Sequence, residues 1–412
     1  MSWEERSINS ITEIVTKGTT PSTYGYNFIK EGVNYIRAEA ISKDGRIKED
    51  TFLKISSDCH EKLKRSQLKS DDILFSIAGM ALGKTGIVKG NYLPANTNQA
   101  VAIIRPIKEL INPRFLQFQF INPNFYELVN KFSAQAAQPN INLTQLKSLS
   151  ILTPPLQTQK RIADILSAFD DLIENNLKRI KLLEQAAQNI YKEWFVNLRF
   201  PGHENTPINE ETRLPLGWEE KKLSDYIDFK EGPGLRNWQF RTEGIPFLNI
   251  RMMSSGNLNF NSVKYLEIEE VERKYAHFLL KEFDHIVSTS GTLGKVVTIR
   301  KSHLPLCLNT SIIRFRPKQI SIGKWYIKRK ISSTEFLDEM RSFATGSAQL
   351  NFGPKHLNMM NIIVPMEKTG KEYERITNPM ELKIISLLDY NQKLKAARDI
   401  LLPRLMNRTI EV

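Results

Sequence analysis

The sequence predicts an α+β fold in which two similar mixed α/β modules are separated by long helices that pair as an antiparallel coiled coil. Three observations carry this. Residues in the first part recur about 211 positions later, a stretch free of proline and glycine with a 3.5-residue apolar seam follows the first copy, and a second apolar seam follows the second. A chain of 412 residues also exceeds the size at which one hydrophobic core keeps growing.

The repeat holds its offset through the end of each copy. Phe132, Gln138, Asn140, Leu146 and Pro154 correspond to Phe343, Gln349, Asn351, Leu357 and Pro365, each pair 211 apart. Upstream, Asp72-Ile73-Leu74-Phe75-Ser76-Ile77-Ala78-Gly79 with Gly83-Lys84 matches Asp284-His285-Ile286-Val287-Ser288-Thr289-Ser290-Gly291 with Gly294-Lys295, and Asn98 matches Asn309. Within each copy, short β-branched runs such as Val33–Ile36, Ala100–Ile104, Ser311–Phe315 and Asn361–Val364 predict strands. A helical segment is expected near Pro113 to Lys131. The boundaries read as a first module at 1–155, a central helix at 156–199, a linker at 200–217, a second module at 218–366, and a distal helix with tail at 367–412.

Pro154-Pro155 closes the first module, and the next forty residues contain neither Pro nor Gly. The seam there runs Ile162, Leu166, Phe169, Ile173, Asn176, Ile180, Leu183, Ala187, Ile190, Trp194 in alternating steps of four and three, the period of a coiled coil. Phe200-Pro201-Gly202 stops it. The distal helix is expected to open at Asn378 as N-cap with Pro379 at the first helical position, on a seam of Met380, Ile384, Leu387, Asn391, Leu394, Leu401 and Leu405. Arg398 interrupts that seam, and Pro403 is expected to end or kink the helix. Asn176 and Asn391 sit mid-seam, where a polar layer fixes register.

With 41% apolar and 25% charged residues the chain is globular in composition, and its net charge of +13 favours a polyanionic partner. The central helix holds only +1 of that, with seven basic and six acidic residues from Lys160 to Arg199. The excess therefore lies mostly in the modules. Two distant cysteines, Cys59 and Cys307, form neither a disulfide framework nor a zinc spacing, and the six histidines show no ligand spacing. The opening residues lack a signal-peptide pattern and no apolar run reaches membrane-spanning length, so a cytoplasmic location and no membrane partner are expected.

Several local motifs resemble those of one family. Leu214-Pro215-Leu216-Gly217-Trp218-Glu219 opens a module, Ser290-Gly291-Thr292-Leu293-Gly294-Lys295-Val296 lies at its centre, and Gln349-Leu350-Asn351-Phe352 lies near its end. Pro154-Pro155-Leu156-Gln157-Thr158-Gln159-Lys160-Arg161-Ile162 joins module to helix, while Glu193-Trp194-Phe195-Val196, Arg199-Phe200-Pro201-Gly202 and Leu401-Leu402-Pro403-Arg404-Leu405-Met406 mark helix ends. With the module-helix-module-helix order, these resemble the specificity (S) subunits of type I restriction-modification enzymes. The second join, Pro365-Met366-Glu367-Lys368-Thr369-Gly370, departs from the pattern by lacking the glutamine.

The resemblance implies two target-recognition domains that each read half of a split site in double-stranded DNA. It implies helices that hold two methyltransferase (M) subunits, and restriction (R) subunits that join this core. It also implies no cofactor in this chain, with AdoMet and ATP belonging to the partners. A helix from about Gln157 to Asn197, roughly 60 Å at about 1.5 Å per residue, would act as a ruler longer than one DNA turn.

Candidate DNA contacts follow from residue type. Gly79, Gly83 and Lys84, with Ser290, Gly291, Gly294 and Lys295, form Gly-Lys loops that either approach a phosphate closely or serve as structural turns. The first loop resembles a nucleotide-binding P-loop but is one residue short, and its counterpart lacks the terminal hydroxyl. Gln138, Asn140, Gln349 and Asn351 can pair with adenine, yet their repetition between modules favours a scaffold or backbone role. Arg236, Arg241 and Arg251 lie where the copies diverge, at 233–280 against 21–60, and are the better candidates for readout, with a solvated surface charge as the plain alternative. Catalysis finds little support. Asn122-Pro123-Asn124-Phe125 only loosely matches an amino-methyltransferase motif, and no Pro-Asp dipeptide opens a common nuclease motif. A stand-alone methyltransferase or nuclease and a coiled-coil scaffold without sequence preference are the two rival functions.

Overall fold

A computed structural model describes residues 3–133, 139–254, 256–261, 263–318, 322–343 and 352–412. The chain divides into two compact units, residues 1–174 with 393–412 and residues 175–392. Each unit therefore combines one module with stretches of both long helices.

The first unit is built on a sheet of β1 (Thr12–Lys17), β2 (Ile73–Ser76), β3 (Thr85–Ile87) and β4 (Val101–Pro106), in the order β1-β4-β2-β3, all antiparallel. The central strands β2 and β4 are mostly apolar and buried, whereas β1 at the sheet edge alternates buried with exposed residues. Phe75, Phe115, Phe118, Phe120 and Phe125 pack with Ile162 and Leu166, and with Leu402, Leu405 and Met406 of the distal helix. Full burial of such a side chain contributes about 1.5–3 kcal/mol. Beside this lies a smaller sheet, in which Val33–Ile36 pairs antiparallel with Leu53–Ile55 and parallel with Ala95–Thr97. Glu4–Ser7 pairs with Ser150–Thr153, closing the module on itself.

The second unit repeats the plan. Strands β5 (Ile227–Glu231), β6 (His285–Ser288), β7 (Val296–Thr298) and β8 (Ile312–Pro317) take the order β5-β8-β6-β7, and Glu219–Lys222 pairs with Asn361–Val364. The same buried ion pair pins both sheets: Arg105 grips Asp72 at 2.7 and 2.8 Å, and Arg316 grips Asp284 at 2.6 and 2.7 Å. In each case the aspartate also accepts a backbone N–H three residues back, from Lys69 and Lys281, at 2.7 Å. Desolvated bidentate pairs of this kind set strand register as well as adding energy.

The segment expected as one helix near Pro113 to Lys131 is two, Pro113–Ile121 and Pro123–Ser133, parted at Asn122. The proline forces Asn122 out of the helical region, to ψ 130°.

The central helix, α1, runs Leu156–Tyr191 and ends in a wider turn at Lys192–Val196. The distal helix, α2, runs Glu367–Met406, which corrects the start expected at Asn378. Pro379 lies inside it, although an interior proline costs about 3 kcal/mol. Burial decides the matter: Tyr373 and Thr377 are wholly buried, Asn378 accepts a hydrogen bond from the Trp325 indole at 2.8 Å, and the Thr377 hydroxyl bonds back to Tyr373 O. Pro403 likewise stays within the helix, whose last turn is held by Leu402, Leu405 and Met406 in the first unit's core. Arg398 does not break the seam, being buried with its guanidinium 2.6 Å from Asp170.

Both helices open at corresponding positions, Leu156 and Glu367, despite the altered second join. Gln159 accepts from Asn112 N at 2.8 Å and donates to Leu110 O and Pro154 O, tying α1 to the helix start at Pro113. In the second unit Glu374 does this one turn further along, accepting from Trp325 N at 2.9 Å and Tyr326 N at 3.0 Å. There the cap position is Gly323, which has no side chain to supply. Burial raises the Glu374 carboxyl above its ordinary range, and those two amide bonds oppose the shift.

Candidate nucleic-acid interface

The Gly-Lys loops join β2 to β3 and β6 to β7, antiparallel neighbours, so neither leads into a helix N-terminus as a P-loop must. Gly79 and Gly291 have φ of 68° and 67°, and Gly83 and Gly294 have 79° and 83°, values that disfavour any side chain. A Cβ on Gly83 would lie 2.9 Å from Tyr126, and one on Gly294 would lie 2.3 Å from Leu337. The glycines thus let each hairpin rest on the second helix of its module. Lys84 is half-buried, with its carbonyl paired to Ser76 N at 2.8 Å. Lys295 donates its ammonium to Met253 O at 3.3 Å. Met80 at the first loop's tip is fully exposed.

Asn140 runs beside this loop, bridged to Ala78, with Gly79 N donating to Pro139 O and Ile141 N to Ile77 O. Its backbone clamps the hairpin while its side chain faces solvent. Gln138, Gln349 and Asn351 lie outside the described residues. Ser290 borders a cleft of about 610 Å³ with Thr289, Thr310, Ser311 and Lys355. Glu231, whose carboxyl is raised by burial, is the one acidic group there among the described residues.

The three divergent arginines separate by role. Arg241 donates to Trp238 O and Phe240 O and stands 3.4 Å from Glu267, so it braces a turn. Arg236 is exposed at the start of the turn Asn237–Gln239, beside the exposed indole of Trp238. Arg251 is exposed on the turn Ile250–Met252 and borders a cleft of about 430 Å³ with Asn249, Asn259, Asn309, Lys264 and Phe240. The Lys264 ammonium sits 4.4 Å above the Phe240 ring. Sequence reading missed the asparagines of this cleft because they come together from three separated segments with no local spacing to mark them.

Asn176 and Asn391 meet in the second unit, Nδ2 to Oδ1 at 2.8 Å, in the layer next to Ile180, Ile384 and Leu387. Among the described residues no group of three or more His, Cys, Asp or Glu is placed to hold a metal, both cysteines are free and buried, and no helix is long and apolar enough to cross a membrane.

Two copies of one sheet, each carrying its own divergent subsheet and joined to seamed helices, define a doubled-module chain of the type the sequence motifs suggested. Residues 1–185 match the family described as "Type I restriction modification DNA specificity domain". The type I restriction enzyme MjaIX specificity subunit of Methanocaldococcus jannaschii is 24% identical over 413 residues, covering 98% of this chain and 92% of the relative. Another M. jannaschii protein, assigned as the MjaX specificity subunit, is 31% identical over 272 residues, 64% of this chain but 62% of that protein. The Haemophilus influenzae HindI specificity subunit is 24% identical over 84% of this chain and 88% of the relative. In fold, the chain resembles the type I S subunit of M. genitalium, with a TM-score of 0.58 at 17% identity over 98% of this chain and 96% of that one. The first 185 residues thus match that DNA specificity domain, and the chain as a whole is similar to type I restriction-modification specificity subunits along nearly its full length.

Proposed function

We propose that the chain is the non-catalytic, sequence-specific DNA-binding subunit of a type I restriction-modification complex. Its two modules read the two halves of a split target in double-stranded DNA. Its long helices dock two methyltransferase subunits, and restriction subunits join that assembly in the cytoplasm. The chain itself takes no cofactor, while AdoMet and ATP belong to the partners.

One observation carries the reading. The sheets β1-β4-β2-β3 and β5-β8-β6-β7 share strand order and the same Asp-Arg pin, while the subsheets beside them carry different side chains. One frame with two sets of exposed groups suits a reader of two different half-sites. The net charge of +13 supports a phosphate-backed interface.

The test is selection from a randomised duplex pool at physiological salt by the full chain copurified with its methyltransferase partners. Two short motifs at one fixed spacing are expected. Equal retention of unrelated duplexes would favour a scaffold, and AdoMet- or metal-dependent turnover by the isolated chain would favour an enzyme.

A further inference from the structure

We propose that Glu39 and Arg251 are corresponding base-reading residues whose opposite charges make the two half-sites differ. The first module then takes a base presenting an exocyclic amino group, and the second takes the acceptor edge of guanine. This rests on the DNA-reading function proposed above.

The correspondence comes from strand register. In the first unit, Tyr35 pairs with Leu53 on one side and with Asn96 on the other. In the second, Phe247 pairs with Lys264 on one side and with Cys307 on the other. Leu53 and Lys264 are 211 apart, as are Asn96 and Cys307, so Tyr35 and Phe247 occupy one place in the frame. Three residues later each chain enters a single 3-10 turn, Ala38–Ala40 or Ile250–Met252. Glu39 and Arg251 are the middle residues of those turns, and both are exposed. No sequence match marks them, since the copies diverge here.

The surroundings fit the two charges. Among the described residues no carboxylate lines the cleft beside Arg251. Asn249, Asn259 and Asn309 each spend Oδ1 on a backbone N–H two residues on, from Arg251, Asn261 and Ser311 at 2.9 Å, which leaves each amide its NH2 to donate. With Lys264, the cleft is rich in donors and suits an edge carrying only acceptors. Guanine O6 and N7 present such an edge in the major groove, and a guanidinium meets both at once. Glu39 stands 3.9 Å from Arg37 Nε and is 70% exposed at its side chain, offering acceptors only. An amino group, cytosine N4 or adenine N6, is its complement.

The experiment repeats the duplex selection with the copurified full chain as wild type, Arg251→Glu, Arg251→Gln and Glu39→Arg. Both positions are exposed, and melting curves matching wild type verify folding. Arg251→Glu and Arg251→Gln are expected to lose a guanine preference of about 5- to 140-fold at one position of one motif, leaving the other motif intact. Glu39→Arg is expected to change one position of the other motif only, the wild-type base there distinguishing cytosine from adenine. Unchanged motifs would overturn the assignment. So would uniform weakening with a salt slope shallower by about one, the signature of a phosphate contact. A wild-type pool enriched in nothing would overturn the DNA-reading function itself.

Discussion

Asn176 donates its side-chain amide to Asn391 at 2.8 Å in the helix pair of the second unit, one layer from Ile180 and Leu387. A polar layer in an apolar seam trades stability for a single register, because any slip leaves an amide facing leucine or isoleucine. Asn176→Leu alone is expected to destabilise the protein by about 1–3 kcal/mol, read as a lower denaturant midpoint. Replacing both with Leu is expected to recover or exceed the wild-type midpoint. An unaltered midpoint in the single variant would contradict this role.

Glu381 is wholly buried between Lys328 and Arg329, accepting from Arg329 Nε at 2.7 Å and pairing with both cations. Removing its charge strands two cations out of water. Glu381→Gln is expected to cost about 3–5 kcal/mol in a denaturation measurement. At the repeat offset of 211 the first unit carries the uncharged Gln117 and Phe118 where Lys328 and Arg329 stand. The triple change Lys328→Gln, Arg329→Phe, Glu381→Leu is therefore expected to regain most of that loss.

Two buried histidines make the second unit acid-sensitive. His285, with Nδ1 3.0 Å from Thr298 Oγ1 and Nε2 2.7 Å from Lys324 O, is held down to about 3 mainly by burial, and His303 to about 3 by burial and then by Arg300. Folded, both stay neutral below the ordinary histidine pKa, whereas the unfolded chain takes up protons there. Stability is therefore full above about pH 6.5 and falls as pH drops toward 3, by about 2 kcal/mol per histidine between pH 7 and 5. The first unit carries Ile73 and Tyr92 at these places. Amide exchange at pH 5 is expected to quicken in strand β6 and not in β2; equal change in both would refute it.

Gly83 and Gly294 test the hairpin seats. Both need positive φ, and an added methyl meets Tyr126 or Leu337. Alanine at either is expected to destabilise by about 1 kcal/mol or more, with Gly294→Ala the worse because its Cβ approaches to 2.3 Å. Thermal melts of the two variants check the ranking.

The sequence by itself determined the doubled module, the two long helices and the asparagine layer. Repeat offset and seam period are properties of residue order, and each survives without knowing what any residue touches. Element ends were less legible. Asn378-Pro379 reads as a helix start, but the buried Tyr373 and Thr377 and the Glu374 cap carry α2 back to Glu367. Only the tertiary structure decided which arginine is free: Arg241 is consumed by carbonyls while Arg251 faces a cleft, although both are arginines in one divergent stretch. The correspondence of Glu39 with Arg251 likewise exists only in strand pairing. Local patterns fix periodic structure, whereas burial and long-range pairing decide where elements end and which side chains remain available.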